Sequence, residues 1–255
     1  MPDRTPRTPA PDQPVAVVTG ASSGIGEATA RGLADAGYFV VLGARRVELV
    51  ERIAADLGGL GLALDVTDEE SVAAFAAAVP RCHLLVNNAG GALGTDAVAE
   101  ANLDDWQWMY DVNVLGTVRM IRALMPTLEA SGDGQVINIG SVAAREPYRG
   151  GAGYNAAKHA VAALTRVLRI ELLGKPIRVC EIDPGMVQTD FSLVRFKGDQ
   201  AKADAVYAGV DPLRPEDVAD AVVWAATRPA RVNIDQILML ARDQSSAQVV
   251  HRRDA

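Results

Sequence analysis

Tyr154 and Lys158 stand at the two ends of the run Tyr154-Asn155-Ala156-Ala157-Lys158. On a helix that i, i+4 spacing brings an ammonium to the side of a phenol. A free phenol, with a pKa of about 10, is too weak an acid or base to work near neutrality. A neighbouring cation stabilises the phenolate and lowers that value, so Tyr154 would trade a proton with an alcohol or a carbonyl while Lys158 approaches a nucleotide ribose. A surface helix also shows such a pair by chance, so neighbouring residues have to decide. Ser141, thirteen positions upstream of Tyr154, closes a predicted strand at the end where ligands meet parallel sheets. Its hydroxyl is suited to holding a substrate oxygen. Asn113 interrupts the apolar stripe of a long predicted helix, and a buried Asn must find partners.

A second constellation lies near the start. The first predicted strand runs into Thr19-Gly20-Ala21-Ser22-Ser23-Gly24-Ile25-Gly26 and then a helix. A glycine-rich turn of this kind lets backbone N–H groups and the positive helix end meet a phosphate. Its spacing is Gly-x-x-x-Gly-x-Gly rather than the common Gly-x-Gly-x-x-Gly dinucleotide fingerprint, and a turn shaped only for close helix packing is the competing reading. About 20 residues beyond the glycines an NAD site would place a carboxylate against the ribose hydroxyls. Here Ala44 is followed by Arg45 and Arg46. Two guanidinium groups without a carboxylate favour a 2′-phosphate and hence NADP(H); the alternative is that both arginines cap a strand end in solvent.

Elements that would position these residues can be read from the apolar pattern. Strands are predicted at Val15–Thr19, Phe39–Gly43, Leu60–Asp65, Leu84–Asn88, Gln135–Ser141, Ile177–Asp183 and Gln236–Leu240. Helices are predicted at 25–37, 46–57, 69–79, 104–130, 153–173 and 215–227. In the fourth helix Met109, Val112, Leu115, Val118, Ile121, Leu124 and Leu128 form one stripe. Strands that are apolar throughout and alternate with helices indicate a parallel sheet covered on both faces, a doubly wound α/β fold. Residues 1–14 carry five prolines and read as a flexible leader. Residues 15–255 then form one domain. Within it 186–214 lacks a strong element and reads as a lid or specificity segment.

Composition narrows the function classes. The 255 residues are 49% hydrophobic and 22% charged, ordinary for a globular chain. A net charge of −7 argues against a nucleic-acid binder. Cys82 and Cys180, the two cysteines, sit in apolar runs and read as buried thiols in a reducing compartment. With no apolar stretch of about 18 residues and no signal-type N-terminus, a cytoplasmic location is expected and no membrane contact. His83, His159 and His251 lack mutual ligand spacing, so no metal is expected.

Taken together the residues resemble the short-chain dehydrogenases/reductases. The matching pieces are Thr19-Gly20-x-x-x-Gly24-x-Gly26, Asn87-Asn88-Ala89-Gly90, Asn113, Ser141, Tyr154-x-x-x-Lys158 and Asp183-Pro184-Gly185. The resemblance implies a single Rossmann-type domain with a seven-stranded parallel sheet. It implies Tyr154 as general acid/base, Ser141 as the group orienting the substrate oxygen, Lys158 on the nicotinamide ribose, and Asn113 holding a water in a proton relay. It also implies a cofactor site of Gly20, Ser22, Ser23, Gly24, Ile25, Gly26, Arg45 and Arg46, continuing through Asp65 and Val66 at the adenine, Asn87 at the adenosine-side ribose, and Ala89 and Gly90 in the turn passing under the nucleotide. Pro184, Gly185, Val187 and Thr189 would take the nicotinamide end. Members of the family commonly form homotetramers, and the Ala156, Ala160 and Ala163 face of the 153–173 helix would permit close helix contact.

More selective segments are Asn88-Ala89-Gly90-Gly91-Ala92-Leu93-Gly94, the run Phe191 to Asp199, and Pro229-Ala230-x-Val232-Asn233-Ile234. They are similar to the NADP-dependent 3-hydroxy acid dehydrogenases, which oxidise serine, allo-threonine and related small acids or reduce the matching semialdehydes. A carboxylate substrate needs a cation, and Arg149, Arg195 and Lys197 are the candidates. Loop salt bridges or subunit contacts are the competing reading for Arg195 and Lys197. Two departures stand out: the stretch between Pro184 and Phe191 is one residue shorter than in related members, and Ala143-Ala144-Arg145-Glu146 brings charge beside Ser141 where small or apolar residues are frequent. Two other expectations remain open, a bulkier ketone as substrate and a non-catalytic NADPH sensor.

Overall fold

The computed structural model describes residues 8–253. Residues 1–7 of the expected leader, and 254–255 at the other end, lie outside the described residues. Residues 8–14 have no regular element, but Arg81 donates to the carbonyls of Ala10 and Pro11, and Gln13 donates to that of Gly37.

Seven strands follow: β1 (Val15–Thr19), β2 (Phe39–Ala44), β3 (Leu60–Ala63), β4 (Leu84–Asn87), β5 (Gly134–Ile139), β6 (Ile177–Pro184) and β7 (Gln236–Met239). All pair in parallel, in the order β3-β2-β1-β4-β5-β6-β7. β1 joins the two halves of the sheet: Val17 pairs with Val41 on one side and Leu85 on the other. Its five residues are all buried, which explains why it shows no polar alternation. The order reverses beside β1, and the crevice this opens at the carboxyl ends of the strands is where doubly wound sheets take ligands.

Helices cover both faces. They are α1 (Gly24–Asp35), α2 (Val47–Leu57), α3 (Glu69–Ala78), α4 (Leu103–Tyr110), α5 (Gly116–Ala130), α6 (Ala152–Glu171), α7 (Phe191–Arg195), α8 (Gln200–Tyr207) and α9 (Pro215–Ala226). One core packs Leu33, Leu42, Val50, Val218 and Val222 against the sheet; the opposite core packs Phe75, Leu85, Met120, Leu124 and Leu128. Leu124 is fully buried, and truncation of such a side chain to Ala typically costs about 2–5 kcal/mol.

Two expectations change here. The stripe predicted as one helix over 104–130 is α4 and α5 joined by a π-helical turn, Asp111–Leu115. The extra residue in that turn does not disturb the apolar stripe, so periodicity does not reveal it; π-turns of this kind cluster at functional sites. The segment expected to lack elements, 186–214, contains α7 and α8. Both are a few residues long, and α8 starts on an Asp199 side chain that accepts from the Lys202 N–H. Among the described residues, no helix is long and apolar enough to cross a membrane.

Candidate active site

The glycine turn is built by close approach. Gly20 and Gly24 have φ of +65° and +57°, in the left-handed region that favours glycine. A Cβ on Gly26 would come within 2.5 Å of the Gly20 carbonyl oxygen. Gly26 therefore lies behind the turn as a spacer, while Gly20, Ser22, Ser23, Gly24 and Ile25 line the cleft. Ser23, the N-cap of α1, makes no side-chain cap, so the leading N–H groups of the helix are left to an anionic ligand. Arg46 folds over this turn, donating to Ser22 Oγ at 2.9 Å and Ser23 Oγ at 2.6 Å. Arg45, Asp65 and Val66 line the cleft beside it. The Asp65 carboxylate accepts from Thr67 N and Oγ1. Its pKa is lowered: burial opposes ionisation, and the Thr67 hydrogen bonds with Arg45 and Arg119 outweigh it.

β4 ends in Asn87-Asn88-Ala89-Gly90. Asn87 is not among the residues lining the cleft; it is buried and donates to Asn138 Oδ1 at 2.9 Å. Its side chain meets that of its β5 register partner on one face of the sheet, while Asn88, just past the end of β4, is on the cleft, where its Nδ2 donates to the carbonyls of Thr19 and Gly20. Ala89 and Gly90 line the cleft as expected from the sequence. Asn113, in the π-helical turn, does not line it. Asn113 donates to Gly91 O at 2.8 Å and Met109 O at 2.7 Å, and its Oδ1 accepts from Gly91 N. The side chain thereby pins the loop after β4.

At the ends of β5 and β6 lie the groups capable of proton transfer. Ser141 caps a short 3₁₀ turn, its Oγ accepting from Ala143 N at 3.1 Å, which leaves the hydroxyl hydrogen for another acceptor. Tyr154 and Lys158, on the first turns of α6, are both buried, and Lys158 Nζ lies 5.8 Å from the Tyr154 ring centre. Burial pushes the Tyr154 phenol above its ordinary pKa, the hydrogen bond with Ser141 and the charge of Arg195 acting the other way. Burial pulls the Lys158 ammonium down to about 8, against the opposing fields of Asp183 and Glu181. Lys158 donates to Ile139 O at 2.8 Å, leaving two N–H groups for other partners.

The far wall comes from the β6 exit, the α7–α8 segment and the C-terminal tail. Pro184, Gly185, Val187 and Thr189 line the cleft. A Cβ on Gly185 would fall 2.1 Å from Gln244 Oε1, which accepts from Met186 N. The cations expected to meet substrate separate into three situations. Arg149 is exposed and is not among the lining residues. Lys197 is also outside the lining and pairs with Asp105 at 2.9 Å, as the salt-bridge reading anticipates. Arg195 lines the cleft and donates to Gly94 O, Tyr148 Oη and Gly150 O. Sequence reasoning missed Trp108, Tyr148, Phe191, Tyr207 and the tail residue Gln248, which share the lining. Aromatic character was the available signal for the first four; nothing in the spacing shows that the tail folds back.

These walls enclose a cleft of about 1110 Å³, large enough for a dinucleotide with a small substrate. An uncapped helix start, backbone cradles that a Cβ would fill, and two arginines where a carboxylate would repel a phosphate all fit a dinucleotide bearing a 2′-phosphate.

Residues 14–200 match the short chain dehydrogenase family. The chain belongs to that family of oxidoreductases. An uncharacterized oxidoreductase of Mycobacterium tuberculosis is 59% identical over 233 residues, spanning 91% of this chain and 93% of the relative. An NADP-dependent 3-hydroxy acid dehydrogenase of Schizosaccharomyces pombe is 43% identical over 94% of this chain and 96% of its own. Among solved structures, the closed form of a serine dehydrogenase complexed with NADP⁺ superposes with a TM-score of 0.89 at 40% identity, covering 94% of this chain and all of that one.

Proposed function

We propose that this short-chain dehydrogenase is an NADP(H)-dependent enzyme acting at the 3-hydroxyl carbon of a small 3-hydroxy acid, or on the matching semialdehyde. The observation that carries the reading is the buried Tyr154 phenol, set beside Ser141 and flanked by Lys158, on a cleft that runs on to the glycine turn and Arg46. The named activities of the yeast relative and of the superposed serine dehydrogenase support the same substrate class and cofactor.

Gly20, Ser22, Ser23, Gly24, Ile25, Arg45 and Arg46 would hold the phosphates, and Asp65, Val66, Ala89 and Gly90 the adenosine. When bound, NADP(H) supplies or accepts the hydride. In the oxidising direction Ser141 Oγ–H donates to the substrate oxygen and Tyr154, as phenolate, removes the hydroxyl proton. In the reducing direction Tyr154 returns that proton to the carbonyl oxygen. Lys158 supports the phenolate electrostatically and offers its two remaining N–H groups to the ribose.

The substrate carboxylate would meet Arg195 and Tyr148. Both lie near enough to the Tyr154 phenol to shift its ionisation. The Tyr148 hydroxyl accepts from Arg195 and keeps its own hydrogen to donate. A second reading, a bulkier ketone, is favoured by the apolar walls of Trp108, Phe191, Val194 and Val206. The enzyme is expected to work in the cytoplasm as a homotetramer.

The deciding experiment follows reduced-nicotinamide absorbance with NADP⁺ or NAD⁺ across L-serine, D-serine, L-allo-threonine, 3-hydroxypropionate, 3-hydroxyisobutyrate and neutral alcohols, with Tyr154→Phe as the blank. Turnover of the acids with NADP⁺ is the expected result. Turnover confined to bulky alcohols or ketones selects the second reading, and NADPH binding without any turnover points to a sensor.

A further inference from the structure

Arg145, a charge close to Ser141, is not idle on the surface. It leaves the 3₁₀ turn (Val142–Ala144) four residues after Ser141 and reaches back to β6. Its Nε donates to Asp183 Oδ2 at 2.9 Å, and its Nη2 donates to Glu181 Oε2 at 2.9 Å. Asp183 is fully buried, and its other oxygen, Oδ1, accepts from Ser141 N at 2.9 Å. Gln236 on β7 also donates to Asp183 Oδ2. Gly140 leaves the room this requires, since a Cβ there would fall 2.0 Å from Asp183 Oδ1 and 2.7 Å from Glu181 Oε1.

The connections form a closed ring: Ser141, the 3₁₀ turn, Arg145, Asp183 and back to the Ser141 N–H. A fork of guanidinium donors suits this geometry, because one plane addresses two carboxylates at once. Without the guanidinium, two carboxylates on the same face of one strand would face each other buried, with only the Lys158 field and the Gln236 hydrogen bond to offset their repulsion. Asp183 would then shift, and the Ser141 backbone would lose its anchor.

We propose that Arg145, acting through Asp183 and Glu181, is a positioning residue that fixes the Ser141 hydroxyl against the reacting oxygen. The proposal rests on the reading of Ser141 given under the proposed function. A purely structural role would disturb stability and nucleotide binding along with rate; a positioning role would be felt mainly through Ser141, beyond the field that Asp183 and Glu181 already exert on Lys158.

The test is a double-mutant cycle of Arg145→Ala with Ser141→Ala, measured on the substrate that the parent turns over best, with amide hydrogen exchange of the 140–146 segment alongside. Arg145→Ala is expected to lower kcat roughly 10–100-fold, the scale of a small misplacement at a reacting centre. NADPH affinity should stay within about twofold, and in the Ser141→Ala background the Arg145 change should cost less than about threefold more. Arg145→Lys, which keeps the charge but loses the fork, should recover part of the rate. Exchange across 140–146 should rise while the glycine turn stays protected. Full additivity in the cycle, an unchanged kcat, or unchanged exchange overturns the proposal. If Arg145→Ala does not fold, Arg145→Lys and Glu181→Gln each enter the same cycle in its place. A parent that turns over nothing would instead overturn the functional reading, and the exchange measurement would still decide whether the ring holds Ser141.

Discussion

Arg46 Nη2 donates to Ser23 Oγ at 2.6 Å, so the second arginine after β2, although exposed, is folded against the N-cap of α1. Its guanidinium and the open N–H groups of the helix start therefore face the same ligand. Charge-assisted hydrogen bonds of this kind contribute about 1.5–3 kcal/mol each. Arg46→Ala is accordingly expected to raise KM for NADP⁺ roughly 10–100-fold. KM for NAD⁺, which lacks the 2′-phosphate, should move less than about threefold. Initial-rate kinetics with both nucleotides check this, and a parallel loss with the two would show that Arg46 shapes the turn instead of reading the phosphate.

Lys158 carries a pH signature. Burial pulls its pKa down to about 8 in the folded protein, against 10.5 for the free group. A depressed ammonium means that the fold bears the cost of the buried charge below about pH 8. Between about 8 and 10.5 the unfolded chain binds more protons than the folded one, so this group's contribution to stability rises with pH across that window. Lys158→Met removes the charge and leaves Ile139 O without its donor. At about pH 7 the variant is expected to be more stable than the parent by about 1–3 kcal/mol, the gap shrinking toward pH 10. Urea unfolding without nucleotide at those two pH values measures it; a gap independent of pH contradicts the assignment.

The doubly wound sheet was legible because the strands are mainly apolar runs with no regular polar alternation, and the order of Gly turn, Ser141 and Tyr154-x-x-x-Lys158 follows the chain. What the sequence hid are relationships between distant segments. Asn87 and Asn88 are indistinguishable as letters, and the end of β4 decides that Asn87 pairs with Asn138 across the sheet while Asn88, one residue on, lines the cleft. The three cations considered for substrate look alike in sequence. Yet Arg149 is exposed, Lys197 is tied to Asp105, and Arg195 is on the cleft. Arg145 reads as a stray charge until β6 brings Asp183 and Glu181 beneath it.

Arg195 does two jobs that a substitution can separate. It ties α7 to Gly94 and Gly150 and stacks over Tyr148, with the guanidinium carbon 5.4 Å from the ring centre. It also lines the cleft, with two guanidinium N–H groups not used in those hydrogen bonds. Arg195→Lys keeps a positive charge but not the fork. KM for the 3-hydroxy acid is expected to rise about 10-fold or more, with a neutral alcohol affected less than about threefold. Equal losses on both substrates would show that Arg195 only fastens the segment. Comparing the two substrates on one enzyme preparation keeps folding differences out of the ratio.

The outer face of α6 bears on assembly. Ala156 and Ala163 are exposed, and further along the same helix Val167 and Ile170 are 51% and 72% exposed. Small residues followed by large apolar ones allow two helices to approach closely and then bury a continuous strip. In a monomer Ala163→Arg would cost almost nothing, because an exposed helix position tolerates a long side chain that is a good helix former. In an oligomer built on this face the guanidinium would be driven into the contact. The parent is expected to sediment as a tetramer at micromolar concentration, and Ala163→Arg as a smaller species with its helical content unchanged. A parent that is monomeric removes the assembly, whereas a tetramer indifferent to Ala163→Arg moves the contact to another face, such as the one where Trp224 on α9 and Leu238 on β7 are both about half exposed.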